Sequence, residues 1–259
     1  MNILAFFAHP DDETILIGGT LALLAQQGAQ VHYLCATRGE GGENGEPPLC
    51  ALDELGEVRA KELACAVEAL GGSKLTIMGY VDPHVGEDEA LFSFTDDLAK
   101  LADEVRKAIL TFQIDAVITH GVNGEYGHPA HLTCNQAARQ AIELLGEDAP
   151  LLYTVFPDFP GNPMPRLSNQ DENADLVVDI NATFADKLAA ARCHQTQNAL
   201  FVRWMSKELG RQIDLPEVIL KLESLRRVSP EIPPGQLEND PLAIMFSIAG
   251  ALRSTMEEE

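Results

Sequence analysis

The chain has 259 residues, of which 46% are hydrophobic, so it can bury the core of one large α/β domain or of two small ones. Because no linker-like stretch interrupts its first 200 residues, we expect one domain over residues 1–209. The 40 acidic residues outnumber the 18 basic ones and give a formal charge of -22, which would repel phosphate backbones and anionic lipid surfaces. We therefore expect no nucleic-acid partner.

In chain order, short β-type runs alternate with longer helical patterns, which is typical of a mostly parallel sheet flanked by helices. Strands are predicted over residues 2–7, 30–37, 74–80, 115–120, 151–156 and 175–180. Helices are predicted over residues 14–27, 53–70, 95–112, 130–145 and 182–209. This order indicates a Rossmann-like α/β fold. The GxGxxG turn of dinucleotide-binding proteins is missing from the sequence, so no nicotinamide cofactor is expected.

Residues 210–259 differ in character from the preceding chain. The Pro-rich stretch VSPEIPPGQ is followed by the apolar, helix-like segment PLAIMFSIAGAL. We predict a helical C-terminal extension over residues 210–259 that docks on the same chain or on a partner. A homo-oligomer is one form that such docking could take.

The N-terminal MNILAFFAHP lacks the basic region of a signal peptide, and its apolar run is too short to span a membrane. We therefore predict a cytoplasmic protein without a membrane span. The cysteines are odd in number, scattered and without a CxxC pair, which favours buried reduced thiols over disulfides or a cysteine zinc site. They are Cys35, Cys50, Cys65, Cys134 and Cys193.

Polar clusters follow four of the predicted strands. They are AHPDDE (8–13), TRGEGGENG (37–45), YVDPH (80–84) and HGVNGEYGHPAH (120–131). Sites in open α/β sheets form beyond the carboxyl ends of the strands, so these clusters should share one rim. Three adjacent carboxylates at residues 11–13 repel one another unless a cation compensates them.

The first and last of these clusters have the spacing of metal ligands. His9 and Asp12 lie three residues apart, and so do His128 and His131; in each pair a proline follows the first histidine. Catalytic zinc commonly takes three ligands from His, Asp or Glu, so we predict that three of these side chains hold zinc. Asp11 should then point to the open metal position and act as general base. For Glu13 we expect only a favourable charge at the N-terminus of a helix.

With AHPDDE, TRGEGG, RAKE (59–62) and GHPAH in this order, residues 1–200 resemble the LmbE-like (PIG-L) zinc-dependent deacetylases. That family removes the N-acetyl group from N-acetylglucosamine in mycothiol, bacillithiol and glycosylphosphatidylinositol precursors, in chitobiose and in some antibiotics. HQTQ (194–197) resembles its HxSQ element.

The resemblance assigns roles to individual residues. It implies that zinc is held by His9, Asp12 and His131, and that Asp11 is the general base. His128 would act as general acid or as an imidazolium that stabilises the oxyanion, and Tyr126 would polarise the amide carbonyl. Contacts with sugar hydroxyls are implied for Arg59, Glu40 and Asp82.

One residue departs from the family pattern. The usual motif is HPDH, whereas this chain has Ala130 where relatives have an aspartate that hydrogen-bonds the first histidine. The acid role of His128 then lacks its usual support. We predict a zinc-dependent hydrolase that removes the N-acetyl group from an N-acetylglucosamine-type amino sugar or glycoconjugate.

The sequence leaves two alternatives open. One is a zinc-dependent amidase that acts on a different amide, as the related thiol-conjugate amidases do. The other is a sugar-binding LmbE-like domain that has lost turnover, which the substitution at Ala130 would explain and the intact Asp11 argues against.

Overall fold

The computed structural model describes residues 1–233 and 235–253. Within these ranges the strands are β1 (Asn2–Phe7), β2 (Gln30–Thr37), β3 (Lys74–Tyr80), β4 (Ala116–Thr119), β5 (Leu151–Val155), β6 (Pro157–Asp158), β7 (Asn169–Asn173), β8 (Leu176–Asp179), β9 (Leu222–Ser229) and β10 (Leu252–Arg253). The α-helices are α1 (Asp12–Gln26), α2 (Leu55–Ala69), α3 (Leu98–Phe112), α4 (Gly124–Gly127), α5 (Pro129–Leu145), α6 (Phe184–Cys193), α7 (Gln195–Leu209), α8 (Leu215–Val218) and α9 (Pro241–Ile248).

The main sheet has eight strands in the order β10-β8-β9-β5-β4-β1-β2-β3, and β6 pairs with β7 in a small second sheet. Strands β3, β2, β1, β4 and β5 run parallel to one another, with Ile3 of β1 beside Val31 of β2 and Ala116 of β4. This half of the sheet confirms the predicted Rossmann-like α/β fold.

Helices cover both faces of the sheet because the side chains of β1 alternate between two hydrophobic cores. Ile3, Ala5 and Phe7 belong to one core, whereas Leu4 and Phe6 belong to the other. Strands that are buried on both faces consist of continuous apolar residues, as in NILAFF. The six predicted strands are all present, with ends that differ by at most one residue from the prediction.

The C-terminal segment is only partly helical, which corrects our prediction of a helical extension over residues 210–259. Strand β9 lies inside the sheet, antiparallel to both β5 and β8, and separates these two strands. Its apolar residues recur at every third position, which is not the alternation of a strand, so only pairing with β5 and β8 places them in the sheet. The helix α9 was predicted, and residues 254–259 lie outside the described residues. The predicted division of the chain at residue 210 stays a prediction.

The predicted helix over residues 182–209 is two helices. His194 separates α6 from α7 with a backbone ψ of 58°, and its ring is fully buried. The break follows from tertiary contacts of this ring, which local sequence does not reveal.

The expectation of reduced thiols is wrong for two of the five cysteines. Cys65 of α2 and Cys193 at the end of α6 form a disulfide, while Cys35, Cys50 and Cys134 are free. Residues 128 positions apart can meet because α2 packs against α6, and sequence spacing gives no sign of this. None of the helices described is both long enough and apolar enough to cross a membrane.

Candidate metal centre and cavity

Four loops that follow parallel strands meet at one rim of the sheet, as predicted. They come after β1, β2, β3 and β4, and they border a cavity of about 570 Å³. Most of the predicted site residues line this cavity, namely His9, Asp11, Asp12, Arg59, Asp82, Tyr126, His128 and His131. Glu40 is not among the lining residues.

Three side chains, from two of these loops and the first turns of the helices that follow them, form a group that could hold a metal ion. One ligand atom from each of His9, Asp12 and His131 lies within 4.8 Å of the other two, and all three residues are buried. The Asp12 carboxylate is 3.3 Å from Nδ1 of His9 and 3.3 Å from Nε2 of His131. The two predicted turns, at residues 9–12 and 128–131, therefore converge on one point.

The hydrogen bonds of this group leave ring nitrogens free for a metal. Nδ1 of His131 donates to Oε2 of Glu125 at 2.7 Å, which places the proton on that nitrogen and leaves Nε2 as the ligand atom. Nε2 of His131 is buried without a hydrogen-bond partner, whereas Nε2 of His9 lies 3.2 Å from Asp82 and Nδ1 of His9 is the nitrogen that faces Asp12. Since an unpaired buried polar atom is costly, a metal ion between Asp12, Nδ1 of His9 and Nε2 of His131 would satisfy the His131 ring.

A second group, His120 with Glu125 and His131, is explained without a metal. Nε2 of His120 accepts a hydrogen bond from the backbone N–H of Ala8 at 3.1 Å, and Nδ1 lies 2.9 Å from Oε2 of Glu125. Both ring nitrogens are therefore in use. Glu125 orients His120 and His131 together, as carboxylates beside metal-binding histidines do.

Glu125 and His120 belong to the site although neither was predicted from the sequence. Both belong to the polar cluster over residues 120–131, so their composition was visible. Their direction was not, because Glu125 has the unusual backbone angles φ 59° and ψ -83° that turn its side chain into the protein.

Asp11 is held in place beside His9, Asp12 and His131, which we name the metal-type group. Its carboxylate Oδ2 accepts a hydrogen bond from Nη2 of Arg59 at 2.9 Å, and its backbone φ is 117°. Such a φ is uncommon for a residue other than glycine and occurs at functional sites. Burial raises the pKa of Asp11 to about 6, although the nearby Arg59 guanidinium lowers it.

Arg59 is itself fixed by backbone carbonyls. Its guanidinium donates to Pro10 O at 2.6 Å and to Gly39 O at 2.8 Å. Gly39 has a φ of +68°, and a Cβ there would lie 2.2 Å from Nη1 of Arg59. The TRGEGG motif thus needs a glycine at this position, because any side chain there would collide with the Arg59 guanidinium that bonds to Asp11.

Glu13 does more than charge the N-terminus of α1. It is buried, it accepts a hydrogen bond from the backbone N–H of Asp11 at 2.9 Å, and it lies 3.0 Å from Nε2 of His194. His194, first residue of HQTQ, thereby connects the break between α6 and α7 with the Asp11 turn. Our expectation for Glu13 was incomplete because residue 194 is 181 positions away in sequence.

His128 is the N-cap of α5 and lacks a carboxylate neighbour at position 130. Its Nδ1 accepts a hydrogen bond from the backbone N–H of Ala130 at 3.2 Å. Burial and the neighbouring rings of His131 and His9 lower the pKa of His128 to about 3. Ala130 is itself fully buried in the core formed with β1 and β4.

Tyr126 lies over the same rings from the cavity side. Its ring centroid is 5.7 Å from that of His128 and 5.4 Å from that of His131, both in edge-on contact. Nearly half of its surface, 47%, is exposed. Tyr126 is therefore accessible to a molecule in the cavity.

Asp82 and Glu40 occupy different positions relative to the cavity. Oδ1 of Asp82 is 3.2 Å from Nε2 of His9, at the edge of the metal-type group. Glu40 accepts a hydrogen bond from the backbone N–H of Asp82 at 3.0 Å and one from Arg38 at 3.2 Å. Glu40 thus holds the loop that carries Asp82.

A Rossmann-like sheet with a buried His/Asp/His group at the carboxyl ends of its parallel strands defines an α/β protein with a metal-type site. Sequence comparison identifies the family. The model of the PIG-L family, described as GlcNAc-PI de-N-acetylase, matches residues 4–142, and the chain belongs to this family. The predicted family and the predicted class of enzyme, an N-deacetylase, are confirmed.

One curated protein is similar to the chain in sequence, and one solved structure is similar to it in fold. The chain is 30% identical over 247 residues to 1D-myo-inositol 2-acetamido-2-deoxy-alpha-D-glucopyranoside deacetylase of Mycobacterium sp. strain KMS, covering 83% of this chain and 80% of that protein. Among solved structures, N,N'-diacetylchitobiose deacetylase from Pyrococcus horikoshii superposes with a TM-score of 0.61 at 19% identity, over 90% of this chain and 87% of that one.

The same fold also occurs with a different chemistry. GalB, the 4-carboxy-2-hydroxymuconate hydratase of Pseudomonas putida KT2440, superposes with a TM-score of 0.58 at 22% identity, over 90% of this chain and 98% of that one. The fold by itself therefore does not specify a reaction, and the side chains of the site must do so.

Proposed function

We propose that this protein is a zinc-dependent deacetylase that hydrolyses the N-acetyl group of an N-acetylglucosamine-type amino sugar. The observation that carries the proposal is that two buried ring nitrogens, Nδ1 of His9 and the unpartnered Nε2 of His131, each lie 3.3 Å from the Asp12 carboxylate. Two imidazoles and one carboxylate form a common ligand set of catalytic zinc.

Zinc at this point would supply Lewis-acid polarisation of the amide carbonyl. The remaining chemistry is assigned to the chain's own residues. Asp11 takes a proton from the attacking water and passes it to the amine nitrogen when the C–N bond breaks, which releases acetate and the free amine. Arg59 keeps the Asp11 carboxylate directed at the cavity through the hydrogen bond at 2.9 Å. Glu13 fixes the Asp11 backbone through the bond from its N–H.

His128 is assigned to the carbonyl oxygen. Since Nδ1 accepts from the Ala130 N–H, the ring proton is on Nε2, and a neutral imidazole can donate it as a hydrogen bond. The oxygen gains negative charge as water adds to the carbonyl, so this hydrogen bond strengthens along the reaction. Tyr126, exposed over the same rings, is the second donor.

The sugar is placed against the loop after β3. Asp82 lines the cavity beside His9 and can accept hydrogen bonds from sugar hydroxyls, while Glu40 positions the Asp82 backbone. In this assignment Arg59 and Glu40 support neighbouring residues, which refines the sugar contacts implied by the family resemblance. The substrate class follows the names of the relatives, which act on a 2-acetamido-2-deoxyglucopyranoside.

Cellular location and assembly are a separate part of the proposal. A disulfide such as Cys65–Cys193 is rare in cytosolic proteins. The cytoplasmic location, the absence of a nucleic-acid partner and a homo-oligomeric state all stay predictions.

The test combines metal analysis with amine release. Protein purified without chelator should contain about one zinc ion per chain and should release free amine from a panel of N-acetyl amino sugars. His131→Ala should lose both zinc and turnover. The matched control is His32→Ala, since His32 lies near the opposite end of β2 and outside the cavity lining.

Each alternative gives a different result in this assay. A chain that neither contains a transition metal nor takes up zinc on titration would overturn the proposal. Zinc uptake with saturable sugar binding but without amine release would identify the sugar-binding alternative. Amine release only from amides other than N-acetyl sugars would identify the amidase alternative.

A further inference from the structure

The cavity continues beyond the metal-type group along an apolar surface formed mainly by α7. Leu200, Phe201, Trp204 and Met205 of this helix line it, together with Val218 and Leu220 from the segment that precedes β9. Residues at these spacings share one side of a helix. We name these six residues the α7 face.

The α7 face is only partly used for packing: Val218 is buried and Met205 and Leu220 contact the core, whereas Leu200, Phe201 and Trp204 are left partly exposed beside the cavity. The buried residues of α7 are Thr196 and Gln197 in its first turn, whereas Trp204 is 46% exposed. An apolar helix surface that borders a cavity and is left accessible is typical of a ligand site.

Aromatic contacts connect this face with the metal-type group. The ring centroid of Tyr126 is 5.4 Å from that of His131 and 5.4 Å from that of Trp204. Both surfaces belong to the same cavity, so one molecule with its amide at His131 could extend past Tyr126 onto the α7 face.

The charges around this part of the cavity favour an uncharged group. Among the described residues that line the cavity, the lysine and arginine side chains are Arg59 and Lys207. Arg59 already donates to Asp11, and Lys207 is next to Glu208, which also lines the cavity. The chain as a whole carries a formal charge of -22, which repels anions.

We propose that the substrate of this enzyme carries an apolar aglycone, an alkyl or aryl group on the amino sugar, that binds on the α7 face. This inference rests on the proposed function, because that function places the N-acetylated sugar at the metal-type group. It separates this chain from the relative named above, whose name specifies the polyhydroxylated inositol as aglycone.

Binding can be measured without turnover because Trp204 is the single tryptophan of the chain. Its fluorescence is recorded while zinc-loaded protein is titrated with alkyl glucosides from methyl to hexyl, which contain no amide. Full burial of one methylene group raises affinity about fourfold. For a cavity open to solvent on one side we expect about twofold per methylene, so about 30-fold from methyl to hexyl.

Two variants of α7 locate the binding surface. Phe201→Ser should weaken hexyl glucoside binding about tenfold and leave methyl glucoside binding unchanged. Leu209→Ser is the matched control, since Leu209 is a large exposed apolar residue of the same helix outside the cavity lining, and this variant should bind like the parent protein.

A parallel assay compares amine release from methyl and hexyl N-acetylglucosaminides. A higher kcat/KM for the hexyl compound that Phe201→Ser removes would support the inference. Equal binding of methyl and hexyl glucosides, or equal losses in Phe201→Ser and Leu209→Ser, would overturn it even if both sugars are deacetylated. Chain-length-dependent binding without amine release from any sugar would overturn the proposed function and leave an apolar-ligand site.

Discussion

Replacing Asp11 by asparagine removes the proposed general base with little change in shape. Asparagine has nearly the same volume as aspartate, and it tolerates a positive φ better than most residues, so the turn at φ 117° should persist. The amide oxygen can still accept the hydrogen bond from Arg59. What is lost is the basic oxygen that faces the cavity.

The expected effect on turnover follows from this loss. Removal of a general base commonly lowers the rate by about 100-fold to 10,000-fold, and we expect kcat to fall within this range. Zinc content should stay at that of the parent protein, because the group formed by His9, Asp12 and His131 keeps all its atoms.

The effect on stability should be small. Arg59 keeps its bonds to Pro10 O and Gly39 O, and the exchange of a charged acceptor for a neutral one lowers stability by about 1 kcal/mol. Relief of repulsion between Asp11 and the adjacent Asp12 and Glu13 works in the opposite direction. We therefore expect a change of less than about 1 kcal/mol in the free energy of unfolding.

Three measurements test this reasoning: amine release by zinc-loaded protein, zinc content by elemental analysis, and urea unfolding. Asp53→Asn is the control for loss of one negative charge, because Asp53 is exposed and outside the cavity lining. If Asp11→Asn keeps kcat within about threefold of the parent protein, Asp11 is not the base. If it loses zinc together with activity, Asp11 belongs to the metal ligands instead.

Three further predictions concern stability. Cys65→Ser opens a covalent link across 128 positions and should lower the free energy of unfolding by about 2–5 kcal/mol, whereas parent protein in reductant should match the variant. Lys187→Met leaves the buried Glu223 without the ammonium group at 2.6 Å and should lower the free energy of unfolding, measured in urea, by about 3–5 kcal/mol. Adding Glu223→Gln should recover part of this stability, because the unpaired charge is removed. Burial and a hydrogen bond to Asp240 raise the pKa of Tyr153 above its usual range. As pH rises above about 10, the unfolded chain loses the Tyr153 proton before the folded chain does, so the free energy of unfolding falls. Tyr153→Phe should make that decline shallower by about 1.4 kcal/mol per pH unit, and an unchanged slope would contradict the assignment.

The sequence by itself determined the parallel half of the sheet and the place of the site. Strand β1 is a continuous apolar run, which is what burial on both faces requires, and the AHPDDE cluster follows directly at its carboxyl end. The turns at residues 9–12 and 128–131 have a local spacing that brings His9 beside Asp12 and His128 beside His131, and three of these four side chains form the metal-type group. Hydrophobic periodicity and residue spacing are local properties of the sequence, so they can be recognised without knowledge of the fold.

Only the tertiary structure decided which side chains support that site. Glu13 meets His194 across 181 positions, and Glu223 receives the backbone N–H of Gly19 across 204. The insertion of β9 between β5 and β8 likewise depends on strand pairing. These contacts are decided by how elements distant in sequence pack and pair, a property that the local pattern of either partner does not contain. The sequence predicted only a helix over residues 182–209, and it is the position of α7 beside the cavity that identifies its apolar face.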